Sequence, residues 1–170
     1  RERVRTLGLA RLAQERANFP PALHWLLRPE SLSANFPDER EVALRLGAAL
    51  WSAWFWREGW QEGGEWLNRL LALADGEKAT KGWVKTLRCA GMMAHFEGKL
   101  STARTLLEES VTLARTMNDR QEWAYSWLGL GVTLRDLGSY LVAYQGLVES
   151  LTFLRSINDT WGLFLVNNEL

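Results

Sequence analysis

One cysteine in 170 residues, Cys89, excludes an internal disulfide and fits a reducing compartment, so a cytoplasmic setting is expected. Two histidines, His24 and His95, lie far from each other in the chain, and with Cys89 they are too few to build a metal site. Neither charge is in excess: Lys plus Arg number 20, as do Asp plus Glu. A neutral chain offers no clustered positive charge for a nucleic-acid backbone, so no direct nucleic-acid contact is expected. No apolar run approaches the ~18–20 residues of a membrane span, and no charged start with a short apolar stretch marks a signal peptide. No stretch alternates apolar and polar residues as a half-buried strand does. The chain opens on Arg1 rather than methionine and stops at Leu170 within an apolar run, as expected of a piece of a longer protein.

Catalytic motifs are missing too. Gly98-Lys99 would need a glycine five residues before Gly98 to make a phosphate loop, and Met93 stands there. "HFE" (95–97) has the His-x-Glu of zinc deaminases without the Pro-Cys-x-x-Cys that completes their site. Cys89 falls mid-helix, where a small packed residue is the simpler reading than a reactive thiol. Glu58, Glu62 and Glu65 are explained by a solvated helix end. With no nucleophile, base and orienting group in sight, neither catalysis nor a cofactor is expected of these residues.

What the chain has is hydrophobic content, 47%, and ten tryptophans, four of them within "WSAWFWREGW" (51–60). It also has a repeat. "LLEESVTLARTMND" (106–119) and "GLVESLTFLRSIND" (146–159) lie 40 residues apart, and at that offset the 39 positions 81–119 hold eleven identities. They include Gly91/Gly131, Gly98/Gly138, Ala103/Ala143, Leu107/Leu147, Ser110/Ser150 and Asn118-Asp119/Asn158-Asp159. Each unit has the period of two helices: Trp123, Trp127, Leu130 and Leu134, then Leu141, Tyr144, Leu147, Leu151 and Leu154. Gly138 suits the left-handed residue that ends the first helix. The Asn-Asp pairs suit the turn after the second, where their side chains bond nearby backbone amides. The small pairs Gly91/Gly131 and Ala103/Ala143 mark a close helix crossing that a larger side chain would force apart.

The same plan, one residue out of step, covers 55–73, with Gly59 matching Gly98 and Gly64 matching Ala103. "WGLFLVNNEL" (161–170) has the pattern of a further first helix. We therefore expect an all-α, right-handed α-α superhelix: a solenoid of antiparallel helical hairpins with a period of about 40 residues. Hairpins are predicted at 38–75, 79–118 and 120–158, with part of a fourth at 160–170. An N-terminal helical linker or cap precedes them over 1–37.

Trp127-x-x-Leu130-Gly131 followed by Gly138-x-Tyr140-x-x-Ala143 resembles the tetratricopeptide repeat, and Leu87-x-x-Ala90-Gly91, Gly98 and Ala103 repeat it. The period is longer than the ~34 residues usual there. "EGKLSTARTLLEESVTLARTMND" (97–119) is similar to the long repeats of bacterial signal-transducing ATPases, the MalT-like and AfsR-like regulators of the LuxR type. "ERANFPPALHWLL" (15–27) resembles the helix between ATPase and array in that family, matching at Glu15, Asn18, Ala22, Leu23 and Trp25. Pro20 and Pro21 replace its usual Arg and neighbour. The resemblance implies a sensor or assembly arm in transcription regulation, with the ATPase and the DNA-binding helix-turn-helix outside this chain.

Carrying over the groove-facing positions of the tetratricopeptide pattern selects Trp56 and Arg57 in the first unit. It selects Lys85, Arg88, Met92, His95 and Phe96 in the second, and Tyr125, Leu128, Arg135 and Asp136 in the third. This set is aromatic and net basic. The resemblance thus implies a groove for a protein or peptide partner or a small effector, with Arg and Lys holding an anionic group and aromatic faces holding the rest. Ordinary solvated charges are the alternative reading of the same residues. A stand-alone scaffold or adaptor, and a self-associating module forming a homo-oligomer, are the competing functions. Among the tryptophans, Trp51 and Trp54 with Phe55 are expected in the core of an end unit, leaving Trp56 as the aromatic for ligand contact. The cluster lacks the one-sided apolar face and basic rim of a membrane-surface helix.

Overall fold

The periodicity that ties Trp123 to Leu134 is realised as helix throughout. The structure, a computed structural model, describes Asn18, Pro21, Ala22 and His24 and residues 37–55, 59–73 and 80–167. Among these lie seven longer helices and no strand: α1 Pro37–Phe55, α2 Trp60–Leu73, α3 Lys81–Phe96, α4 Leu100–Thr116, α5 Arg120–Asp136, α6 Tyr140–Ser156 and α7 Thr160–Asn167. The fold is all-α, and each helix packs on its neighbours in the chain, in keeping with a helical-repeat superhelix.

Three-residue turns join α3 to α7, and all four close the same way. The amides of Lys99, Asp119, Ser139 and Asp159 donate to the carbonyls of Ala94, Ala114, Leu134 and Leu154, over 2.8–3.0 Å. This bond ends a helix through one residue in left-handed conformation. Within hairpins that residue is glycine, Gly98 at φ +75° and Gly138 at φ +80°; between hairpins it is asparagine, Asn118 at 55° and Asn158 at 53°. Next to each asparagine an aspartate caps the following helix. Asp119 accepts from the Glu122 amide at 3.1 Å and Asp159 from the Gly162 amide at 2.9 Å. Burial alone would raise both carboxyls. The capped amides, with Lys81 at Asp119 and Tyr125 at Asp159, outweigh it and hold both below the ordinary carboxylate value.

The repeated small residues sit where the two helices of a hairpin cross. A Cβ on Gly91 would lie 2.6 Å from Leu107 Cγ, and one on Gly131 2.7 Å from Leu147 Cγ. Ala103 and Ala143 are buried opposite them. Ser110 pins three helices at one buried point: its hydroxyl bonds the Val84 carbonyl at 3.0 Å and lies 2.8 Å from the Ser126 hydroxyl. The core runs through the stack as successive clusters, around Leu44, Leu67 and Met93, then Leu107 and Leu134, then Leu128, Leu154 and Val166.

First helices lie side by side and parallel, and cross-helix bonds fix their register. From α1 to α3, Glu41 accepts from the Gly82 amide, and the Leu44 and Ala48 carbonyls accept from Thr86 and Cys89. From α3 to α5, Lys81 meets Asp119, Arg88 meets Glu122, and His95 meets Thr133. From α5 to α7, the Tyr125 hydroxyl donates to Asp159 at 2.8 Å. Partner numbers rise together from α1 to α3 and from α3 to α5, which is the signature of parallel packing.

Candidate functional site

The parallel first helices create a shared face, and a cavity of about 570 Å³ opens on it. That volume is within the range of small-molecule sites, ~300–1,000 Å³. Along α3 it is lined at every third or fourth residue, by Lys81, Lys85, Arg88, Met92 and Phe96, one stripe of a helix. From α5 come Glu122, Tyr125, Leu128 and Val132, with Asp119 at its cap; α1 contributes Trp51 and Phe55, and α7 contributes Trp161 and Leu165.

The lining is graded. Charged groups occupy the N-terminal ends of α3 and α5, and apolar ones the C-terminal ends. Because the helices run parallel, the two gradients coincide, giving the cavity one polar end and one apolar end. The apolar wall is a chain of rings: Trp51 to Phe55 at 5.3 Å, and Phe55 to Phe96 at 5.1 Å between centroids. Such tilted contacts add to the area they bury.

At the polar end two of three cations are already paired. Lys81 Nζ lies 3.3 Å from Asp119 Oδ2. Arg88 Nε donates to Glu122 Oε1, with side-chain exposures of 15% and 6%. Burial alone would lower the Arg88 pKa, but the charge and hydrogen bond of Glu122 outweigh it and leave the guanidinium above its ordinary value. Arg88 also lies over the Tyr125 ring, 5.5 Å from its centroid, a cation–π contact. Burial and the bond to Asp159 push the Tyr125 hydroxyl up, so it stays a neutral donor. Lys85 is exposed and makes no ion pair among the described residues. Among the described residues, three cations against two carboxylates leave the lining at +1, and Lys85 carries that surplus.

Of the residues nominated from the sequence, Lys85, Arg88, Met92, Phe96, Tyr125 and Leu128 therefore meet around one cavity. His95 and Arg135 do not line it. His95 is held beside Thr133 at 3.2 Å and Asp136 at 3.7 Å, and Arg135 bonds Asp136 at 3.0 Å. Trp56 and Arg57 lie outside the described residues. Gly91, Gly98, Ala103, Gly131, Gly138 and Ala143 serve the crossings and turns described above, away from the lining.

One expectation needs correction. Trp54 is in the core and Trp51 packs against it while also lining the cavity, but Phe55 is half-buried, faces the cavity and stacks on Phe96 of α3. Arg88 lines the cavity with its Nε already bonded to Glu122 Oε1. Sequence reasoning also missed Lys81, Glu122 and Trp161. All three lie at the starts of helices, Lys81 and Glu122 about one turn before Lys85 and Tyr125, and Trp161 on α7, to which no position was transferred.

Cys89 is fully buried, bonded to the Ala48 carbonyl at 3.7 Å, and burial pushes its thiol up to about 11. It has no access to the cavity. Among the described residues no cluster of three or more His, Cys, Asp or Glu side chains could hold a metal ion, and no helix is long and apolar enough to cross a membrane. The chain matches no protein-family model and no curated protein.

Proposed function

We propose that this chain is a non-catalytic interaction and effector-sensing module that binds a peptide, a protein segment or a small effector on the shared face of α1, α3, α5 and α7. The single observation that carries this reading is the cavity on that face, which gathers open aromatic, aliphatic and charged side chains from four parallel helices. The repeat and the motifs at 15–27 and 97–119 support placing the module in the cytoplasm, as the sensor arm of a LuxR-type signal-transducing regulator. A thermal-shift screen of peptides and metabolites against the wild type and a Met92→Glu variant tests the binding reading. A ligand at a hundred times its Kd adds about 2.7 kcal/mol of stability. True ligands should lose that stabilisation in Met92→Glu; stabilisation equal in both proteins would remove the groove from the account.

Self-association is the second reading, and α6 favours it. Tyr140, Leu141, Val142 and Tyr144 are exposed, and residues 137–148 carry no charge. Trp161 and Leu165 line the cavity, and Leu165 also packs against the core cluster of Ala124 and Leu128. The positions of α4 equivalent to 141, 142 and 144 are Ser101, Thr102 and Arg104, which stay exposed although α5 and α6 follow. A further hairpin would thus leave the α6 face open, and an uncharged apolar face complements a second copy of itself. Sedimentation should show a dimer lost in Leu141→Lys/Tyr144→Lys; a monomeric wild type at high concentration rejects this reading.

A further inference from the structure

We infer that the natural ligand class of the groove is a small amphiphile with one anionic head and an apolar or aromatic body, held head-first at Lys85. This rests on the groove being a binding site and goes further by naming what it takes. The charged and apolar gradients of α3 and α5 coincide along the cavity. A peptide groove that reads extended chain presents alternating features along its length, whereas this cavity is divided once, charged at one end and apolar at the other. A ligand that satisfies both ends at once is itself divided once.

The sign of the head follows from pairing. Asp119 is engaged by Lys81 and by the first turn of α5, and Glu122 by Arg88, so neither carboxylate is left to attract a cation. Lys85 stands between those pairs, four residues after Lys81 and three before Arg88, and forms no ion pair among the described residues, its charge reaching Asp119 only at longer range. The nearby N-termini of α3 and α5 add positive potential at that end. A cationic head would meet uncompensated like charge; a neutral head would forgo the one charge-assisted bond on offer. A single negative charge balances the cavity.

The body is defined by the other end. Trp51, Phe55 and Phe96 form a wall of rings against Met92, whose flexible thioether adapts to irregular apolar shapes. Among the described residues no charged side chain lines that end of the cavity, so an apolar tail is buried there beside rings and thioether. At about 570 Å³, the open cavity has the size of a small-molecule site.

The test uses three probes of equal chain length, decanoate, decanol and decylamine, titrated below their micellar concentrations by calorimetry and by quenching of tryptophan fluorescence. Decanoate should bind about tenfold tighter than either of the others, the worth of one charge-assisted bond. Lys85→Gln should lose that preference while leaving the decanol affinity unchanged. Phe96→Ala should weaken all three probes alike. Equal affinity for the three head groups, or a preference for decylamine, overturns the inference. A peptide that binds in a Met92-dependent way while decanoate does not bind would also overturn it, and would leave the groove standing as a binding site. If neither probes nor peptides respond to Met92→Glu, both the inference and the binding reading fail.

Discussion

At the scale of single residues, the pair Arg88–Glu122 decides which charges are structural and which are open to a ligand. Both side chains are largely withdrawn from water, so each is stabilised by the other rather than by solvent. Removing one partner strands the other. Arg88→Ala should therefore cost about 3 kcal/mol or more, read as a drop in the denaturation midpoint. Lys85→Gln, one turn earlier, should cost no more than about 1 kcal/mol, because the side chain is exposed and has no ion pair to lose. Equal destabilisation by the two substitutions would contradict this division. The division was hidden in the sequence. Helical spacing places Lys85, Arg88, Met92 and Phe96 on one stripe, and that much is legible. The carboxylate that claims Arg88 comes 34 residues later, from the next hairpin, and no local pattern announces it.

At the scale of elements, the turns were the most legible part of the chain. A left-handed residue is needed wherever a helix closes by the six-residue bond, and only a few residue types accept that conformation at low cost. The alternation of Gly98, Asn118, Gly138 and Asn158 is therefore visible as spacing alone. Gly138→Ala should destabilise by about 1–2 kcal/mol through positive φ, since no neighbouring atom stands in the way of a Cβ there. Asn118→Gly, which keeps the conformation accessible, should change stability by no more than about 0.5 kcal/mol. The adjoining aspartates add a pH dependence. Asp119 and Asp159 are held below their ordinary value in the folded chain, so their stabilising share is complete above about pH 4. It disappears as pH falls through their folded values. Asp119→Asn with Asp159→Asn should flatten the acid limb of a stability profile, and an unchanged limb would argue against the capping role. The first hairpin was less legible because its copy of the repeat is out of step. Gly63 packs against Trp54, with a Cβ there 2.9 Å from the indole, and Trp54 stands where the later units have Met93 and Thr133.

At the scale of the whole molecule, parallel first helices convert three local stripes into one surface. Helical period and a 40-residue offset are enough to read the hairpins from the sequence. How far each hairpin is rotated on the next is set by packing between units, through contacts such as Thr86 to the Leu44 carbonyl and Ser110 to Ser126. That rotation leaves Trp51 and Phe55 facing the cavity, turns His95 toward Asp136, and brings Trp161 and Leu165 to the far wall. None of these placements follows from one helix considered alone. The central claim is that binding occurs on this shared face, and its position is directly measurable. Amide chemical shifts should be mapped on isotope-labelled protein during titration with the strongest ligand from the stabilisation screen. The account predicts the largest perturbations on α3 between Lys85 and Phe96 and on α5 between Tyr125 and Val132. Perturbations confined to the outer face of α6 around Leu141 and Tyr144, with α3 unmoved, would contradict it.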